Sequence, residues 1–129
     1  MGRFLLDTQI VMWLANEPQK VSASCYEVIL DNENELYFSY ASIWELSIKE
    51  SVGKLKLNLP LNDFISEEIE KHRLILLPIS LTSIYHNQHL PLFHRDPFDR
   101  ILAAQSIIEK MPLVSADKIF EDYNIKRIW

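Results

Sequence analysis

The chain has 129 residues, a formal net charge of −5, 48% hydrophobic and 24% charged residues, which is the composition of one globular domain. The net charge argues against nucleic-acid binding through bulk positive charge, and the two glycines exclude a glycine-rich phosphate loop. The single Cys25 favours a reducing compartment, and no apolar run reaches the roughly 18 residues of a membrane span. We therefore expect one cytoplasmic domain over residues 1–129, with no membrane partner.

Strands and helices alternate along the chain. The apolar run FLL at 4–6 predicts a short strand, and Asp7-Thr8 opens a helix after it. Ser42 precedes Glu45 by three residues, which is the pattern of a helix capping box. Further helices are predicted at 21–34, 61–72, 80–88 and 97–110, strands at 35–40, 74–79 and 125–129, and a strand with a turn at 112–117. This order predicts a parallel α/β sheet covered by helices on both faces.

Acidic residues recur where strands end and helices begin. Asp7 and Asp117 directly follow predicted strands, and Glu45 and Asp99 lie in the first turns of helices. In a doubly wound parallel sheet, helix starts that follow strands lie on one edge. Two carboxylates about 4 Å apart repel by on the order of 4 kcal/mol at an effective dielectric of about 20. A divalent cation would remove that repulsion, and an oxygen-only ligand set suits Mg²⁺ or Mn²⁺.

Each acid also has a purely structural interpretation. Asp7, Asp96 and Asp117 can act as helix N-caps. Asp99 can interact with a helix dipole, and Glu45 can complete the capping box or pair with Lys49 four residues later. Taken singly, these positions do not argue for catalysis.

Four segments together resemble the PIN-domain family, especially VapC-type toxins of bacterial toxin–antitoxin systems. They are FLLDTQIVMWL, SIWELSIKESVGKL, HRDPFDRILAAQS and LVSADKIFEDY, and they follow the family's order over most of the chain. The resemblance implies a three-layer α/β/α sandwich with a central parallel sheet. It also implies a Mg²⁺-dependent endoribonuclease that hydrolyses phosphodiester bonds and leaves a 5′-phosphate and a 3′-hydroxyl.

The same resemblance implies the site residues. By motif position, the family's four acids fall on Asp7, Glu45, Asp99 and Asp117. One or two Mg²⁺ ions, with Mn²⁺ as an alternative, would be held by Asp7, Asp99 and Asp117, and Glu45 would complete the catalytic site. The expected supporting residues are Asp96, Thr8 and Ser115.

Substrate and partners follow from the same comparison. Unpaired RNA is the expected substrate, because proteins mostly read RNA sequence at unstacked bases. Arg95 and Arg100 bracket the supporting Asp96 and the motif acid Asp99, so they are the preferred candidates for RNA phosphate contacts. The resemblance also implies a cognate antitoxin protein and a homodimer.

Three other functions are weaker interpretations. A phosphatase or phosphotransfer domain would need a second acid two residues after its nucleophile, and Asp7 is followed by Thr8 and Gln9. A catalytically silent scaffold is disfavoured because all four motif acids are present. The histidines at 86, 89 and 94 lack the second half of a zinc site.

Overall fold

The described residues, 1–93 and 95–129 of a computed structural model, form one sheet of five parallel strands. His94, considered above, lies outside them. The strands are Arg3–Leu6 (β1), Glu35–Ser39 (β2), Leu74–Leu77 (β3), Leu113–Val114 (β4) and Arg127–Ile128 (β5). Their spatial order is β3-β2-β1-β4-β5, and every neighbouring pair is parallel. The predicted parallel sheet is confirmed.

Six α-helices connect these strands within the described residues. They are Thr8–Asn16 (α1), Ala23–Leu30 (α2), Tyr40–Ser51 (α3), Leu61–His72 (α4), Leu81–Gln88 (α5) and Pro97–Glu109 (α6). Short 3₁₀ segments cover Pro18–Lys20 and Lys118–Tyr123. None of the helices in the described chain has the length and apolar character needed to cross a membrane.

Adjacent residues of the central strand pack into two separate hydrophobic cores. Leu6 is fully buried on one face of β1 and packs with residues of α1, α2 and α4. Leu5 is fully buried on the other face and packs with Leu102 and Ala103 of α6. Because successive side chains of a strand point to opposite faces, these two cores lie on either side of the sheet. The three-layer α/β/α architecture is therefore confirmed.

Several predicted boundaries are wrong. The second helix ends at Leu30 rather than at residue 34, and the Asp31 carboxylate accepts the Glu33 N–H in a local turn. Strand β3 ends at Leu77 because Pro78, which follows it, has no N–H to donate to the ladder.

The predicted capping box at the third helix is also wrong. α3 begins at Tyr40, and Ser39 is its N-cap, with the Ser39 hydroxyl accepting the Ala41 N–H. Ser42 lies inside the helix and is fully buried. Its hydroxyl instead accepts a hydrogen bond of 2.7 Å from the Thr8 hydroxyl. The Ser42 side chain, which the local pattern assigned to a helix cap, therefore forms a tertiary contact with α1 instead.

Candidate active site

The register of the sheet brings three strand ends to one edge. Leu6 of β1 pairs with Phe38 of β2 and with Val114 of β4, so these strands end at the same level. Asp7 and Ser115 are the next residues of β1 and β4. The Ser115 hydroxyl donates to Asp7 Oδ2 at 2.7 Å, and both side chains are buried. Asp7 occupies the N-cap position of α1, but its side chain makes no capping bond to the described residues.

Asp117 lies two residues beyond Ser115 at the same edge. Its N–H donates to the Ser115 hydroxyl at 3.0 Å, and its Oδ1 accepts the Ile119 N–H at 3.1 Å. The second bond makes Asp117 the N-cap of the following 3₁₀ segment, as the sequence predicts. Ser115 therefore connects Asp7 to the backbone of Asp117, which fixes the relative positions of these two acids.

The α6 N-terminus supplies two more acids. Asp96 is the N-cap, and its Oδ1 accepts the N–H groups of Phe98 at 2.8 Å and Asp99 at 3.3 Å. Pro97 follows at the first helical position, where a missing N–H costs nothing. Both predictions for Asp96 and Pro97 as a helix start are confirmed. Asp99 lies in the first turn of the same helix and is half-buried.

Glu45 approaches from α3 and is only 5% exposed. Its Oε2 forms an ion pair of 2.8 Å with Lys49 Nζ, one helical turn further on, which confirms the predicted pairing. Its Oε1 is buried and has no hydrogen-bond partner among the residues that the structure describes. A buried carboxylate oxygen in this state carries a desolvation cost that a ligand would relieve.

All five acids line one open cleft of about 540 Å³. Asp7, Glu45, Asp96, Asp99 and Asp117 come from distant parts of the sequence, and Lys49 and Lys54 are the lysines that line the same cleft. The predicted convergence of the motif acids at one edge is therefore present in the fold.

The electrostatics of the cleft oppose ionisation of its acids. Burial raises the pKa of Asp99 to about 8, and repulsion from Asp7, Asp96, Glu45 and Asp117 contributes to the shift. Burial, together with Glu45 and Asp117, also raises the pKa of Asp7 to about 6, although the Ser115 hydrogen bond acts in the opposite direction. A nearby cation would favour the charged carboxylates that these surroundings disfavour.

An aromatic contact joins the two helices that carry Glu45 and Asp99. The ring of Trp44 meets the ring of Phe98 edge-on, with centroids 5.1 Å apart. Each ring belongs to the residue immediately before a cleft acid. The contact therefore holds α3 and α6 together at the level of the acids, against the repulsion between their carboxylates.

A family model described as PIN domain matches residues 4–126. The chain belongs to the PIN-domain family. It is 26% identical over 120 residues to Ribonuclease VapC22 of Mycobacterium tuberculosis, with 92% of this chain and 89% of that protein covered.

Solved structures share the fold of this PIN domain. One is VapBC2 from Rickettsia felis bound to a promoter DNA fragment, with a TM-score of 0.74 at 19% identity over 97% of this chain and 96% of that one. Another is VapBC-1 from nontypeable Haemophilus influenzae, with a TM-score of 0.62 at 19% identity over 98% and 96%. A third is FitAcB from Neisseria gonorrhoeae, with a TM-score of 0.61 at 17% identity over 96% and 95%.

The donor set of the PIN-domain cleft fits a hard divalent cation. Its ligand atoms are carboxylate oxygens, which Mg²⁺ and Mn²⁺ prefer, and Glu45 Oε1 is available to accept a further bond. Across residues 1–93 and 95–129, no three histidine, cysteine or acidic side chains already form a closed metal-binding group. The acids thus share a cleft without converging on one point, which is the arrangement that mutual repulsion favours.

The two arginines of the predicted RNA contact differ in placement. Arg95 is exposed, just ahead of the Asp96 cap. The Arg100 guanidinium instead donates to three backbone carbonyls, those of Asn87, Leu90 and Pro91, at 2.8–3.2 Å. This use of its donors favours a structural role for Arg100, in which it holds the chain that follows α5.

Proposed function

We propose that this PIN domain is a divalent-metal-dependent endoribonuclease and the toxin of a toxin–antitoxin pair. The observation that carries the proposal is the cleft, which is lined by the four motif acids from distant segments; one of them, Glu45, has a buried oxygen with no hydrogen-bond partner among the described residues. Nucleases of this family generally depend on a divalent metal, and one relative is named a ribonuclease. We propose Mg²⁺ as the ion, with Mn²⁺ as a substitute, and the cytoplasm as the compartment.

Asp7, Asp99 and Asp117 would hold the ion. A bound divalent cation supplies Lewis-acid chemistry: it lowers the pKa of water and neutralises charge on the phosphate. The Ser115 hydroxyl donates to Asp7 Oδ2. This bond fixes the orientation of the Asp7 carboxylate and leaves its other oxygen for the ion. Thr8, bonded to Ser42, fixes the start of α1 beside Asp7. Asp96 positions Asp99 by capping α6.

Glu45 has a different role from the three ligand acids. Its Oε1, which lacks a hydrogen-bond partner in the described structure, accepts a proton from the attacking water. Attack at phosphorus then breaks the bond to the 3′-oxygen, which takes a proton from solvent water, so the products are a 5′-phosphate and a 3′-hydroxyl. We propose unpaired RNA as the substrate, with the exposed Arg95 as a phosphate contact.

RNA cleavage tests the proposal directly. The protein should cleave single-stranded RNA with Mg²⁺ and stop on addition of EDTA. Loss of a proposed metal ligand should lower the cleavage rate by more than about a hundredfold, because even mutations of residues that only support the ligands cost up to about that much. The variants that test this are Asp7→Asn, Asp99→Asn and Asp117→Asn. Asp63→Asn is the matched control, because Asp63 is an exposed acid in the first turn of α4. Full cleavage in the three variants would overturn the assignment of these residues.

We further propose an antitoxin partner and a homodimer. The structural neighbours from Rickettsia felis and Haemophilus influenzae are VapBC structures, which supports a small antitoxin for this chain. An exposed apolar stripe runs along α3 at every fourth position, through Tyr40, Trp44 and Ile48, and continues to Val52, the C-cap of the helix. This stripe suits contact with a second copy. Light scattering after size exclusion tests the dimer, and Val52→Glu should shift it to the monomer mass.

A further inference from the structure

Lys49 forms an ion pair with Glu45, the residue that accepts a proton in the proposed reaction. Its Nζ lies 2.8 Å from Glu45 Oε2, and its side chain is 47% exposed while that of Glu45 is 7% exposed. Lys49 also lines the cleft together with Asp96 and Asp99. In the metal-free protein it therefore neutralises part of an acidic cluster, from the end of a flexible stem that reaches solvent.

A divalent cation and Lys49 cannot both remain close to Glu45 without repelling each other. A cation held by Asp7, Asp99 and Asp117 in the same cleft carries twice the charge of the ammonium group, so its repulsion drives the ammonium away from Glu45. The Lys49 side chain is half-exposed and lines the cleft, so an ammonium displaced from Glu45 can reach the phosphates of an RNA bound there. A lysine is suited to this exchange because its charge is compact and its stem is flexible.

We propose that Lys49 is an exchangeable counter-ion, which neutralises Glu45 before metal binds and contacts an RNA phosphate afterwards. The second half of this statement rests on the proposed nuclease function, whereas the first half does not. Lys49 is thus a positioning residue for Glu45 in one state and a substrate-binding residue in the other.

Two other lysines serve as matched controls. Lys54 lines the same cleft but forms no ion pair with any residue in the described structure. Lys71 lies beside another buried glutamate, Glu68, with Nζ 3.8 Å from Oε2, on α4 and outside the cleft. Substituting either one removes the same charge as substituting Lys49, without breaking the contact to Glu45.

Metal affinity tests the first half in the absence of RNA. Mn²⁺ binding to the full chain is measured by calorimetric titration for wild type, Lys49→Met, Lys49→Gln, Lys49→Arg, Lys54→Met and Lys71→Met. Lys49→Met and Lys49→Gln should bind Mn²⁺ about two- to fivefold more tightly, the range that corresponds to losing one partly exposed ion pair. Lys49→Arg should stay close to wild type. The two control variants should change less, because screening weakens charges that are not in contact.

The sign of the change decides between exchange and a fixed structural role. If Lys49 only held Glu45 in place, its loss would weaken Mn²⁺ binding. The proposal that Lys49 is a counter-ion of Glu45 is overturned if both Lys49→Met and Lys49→Gln bind Mn²⁺ with unchanged or lower affinity. It is also overturned if Lys54→Met gains as much Mn²⁺ affinity as Lys49→Met.

Cleavage at saturating Mn²⁺ tests the second half. Lys49→Met should lower kcat/KM for single-stranded RNA about tenfold or more, as expected for the loss of a charge-assisted hydrogen bond. The slope of log KM against log salt should fall by about 0.7, the change for one phosphate contact on a single strand. Lys49→Arg should recover most of both effects. Normal cleavage by Lys49→Met overturns the phosphate contact. If the wild type cleaves no RNA, the proposed function fails, and the Mn²⁺ titration still decides the counter-ion.

Discussion

Glu45 on α3 and Glu68 on α4 are buried to nearly the same extent but have opposite surroundings. They are 5% and 2% exposed, and each has one carboxylate oxygen without a hydrogen-bond partner in the described structure. Each also has a lysine within one helical turn. By burial and local sequence alone, the two glutamates are equivalent.

Their neighbours separate them. Glu68 lies between two basic groups, with Lys71 Nζ and His72 Nε2 each 3.8 Å from one of its oxygens. Glu45 has Lys49 on one side, but it faces Asp7 and Asp99 across the cleft. The Lys71 ammonium offsets the charge of Glu68 within the fold, while burial lowers the pKa of His72 and favours its neutral form. Glu45, among acids, favours a cation from solution. The charge of the neighbouring residues, more than the burial of the glutamate, therefore distinguishes the candidate metal site.

The largest test of this contrast removes one charge at each glutamate. Glu45→Gln should lower the rate of RNA cleavage by more than about a hundredfold, because it removes the proposed proton acceptor. Glu68→Gln should change the rate less than about twofold, since it lies outside the cleft, even though it removes an equally buried charge. Cleavage rates at saturating Mg²⁺, with circular dichroism to verify folding, measure both. Comparable losses in the two variants would mean that burial, rather than location, decides the effect.

A second test compares acids within the cleft. Asp96→Asn should reduce cleavage only about tenfold, because an asparagine oxygen can still accept the N–H groups that cap α6. Asp99→Asn should cost far more, because it removes a proposed metal ligand. The ratio of the two rates at the same Mg²⁺ concentration is the measurement. A larger loss for Asp96→Asn would exchange the roles of the two residues.

The smallest expected effect concerns stability and pH in the absence of metal. The folded-state pKa of Asp99, about 8, lies above the ordinary value of 3.8, so between these values the folded protein holds a proton that the unfolded chain has lost. Stability should therefore fall as pH rises from about 4 to about 8. Asp99→Asn, which cannot ionise, should raise Tm in EDTA by several degrees at pH 9 and by less at pH 5.

Calorimetry at both pH values measures that difference. Glu68→Gln should show no such gain at high pH, because the charge at Glu68 lies beside bases rather than acids. An equal increase in Tm for Asp99→Asn at both pH values would argue against repulsion within the cleft.

The edge of the sheet could be predicted from the sequence, because parallel strands end together. Once FLL and PLVSA are identified as strands, Asp7 and Asp117 must lie near the same rim, and the register of Leu6 with Val114 places them there. The start of α6 was equally predictable, since a proline following an aspartate is a local signal. The convergence of the four motif acids follows from these local rules and the topology together. Their catalytic roles stay predictions.

Contacts between distant segments could not be predicted from local patterns. Ser42 and Glu45 match a capping box, yet the helix begins at Tyr40 and Ser42 bonds to Thr8, 34 residues away in sequence. Arg100 beside Asp99 suggested a phosphate contact, yet its guanidinium reaches back to the carbonyls at the end of α5. In both cases a polar side chain with a plausible local role is taken by a tertiary partner.

The edge-on meeting of Trp44 and Phe98 has an optical consequence. Because Trp44 is 59% exposed and immediately precedes Glu45, we expect its emission to change with solvent and with movement of α3 against α6. The other two tryptophans, Trp13 and Trp129, pair with each other, with ring centroids 5.8 Å apart. Replacing both with phenylalanine leaves Trp44 as the single tryptophan, which can be excited selectively over the tyrosines. Trp44 fluorescence can therefore report on the spacing between α3 and α6, the two helices that carry Glu45 and Asp99 into the cleft.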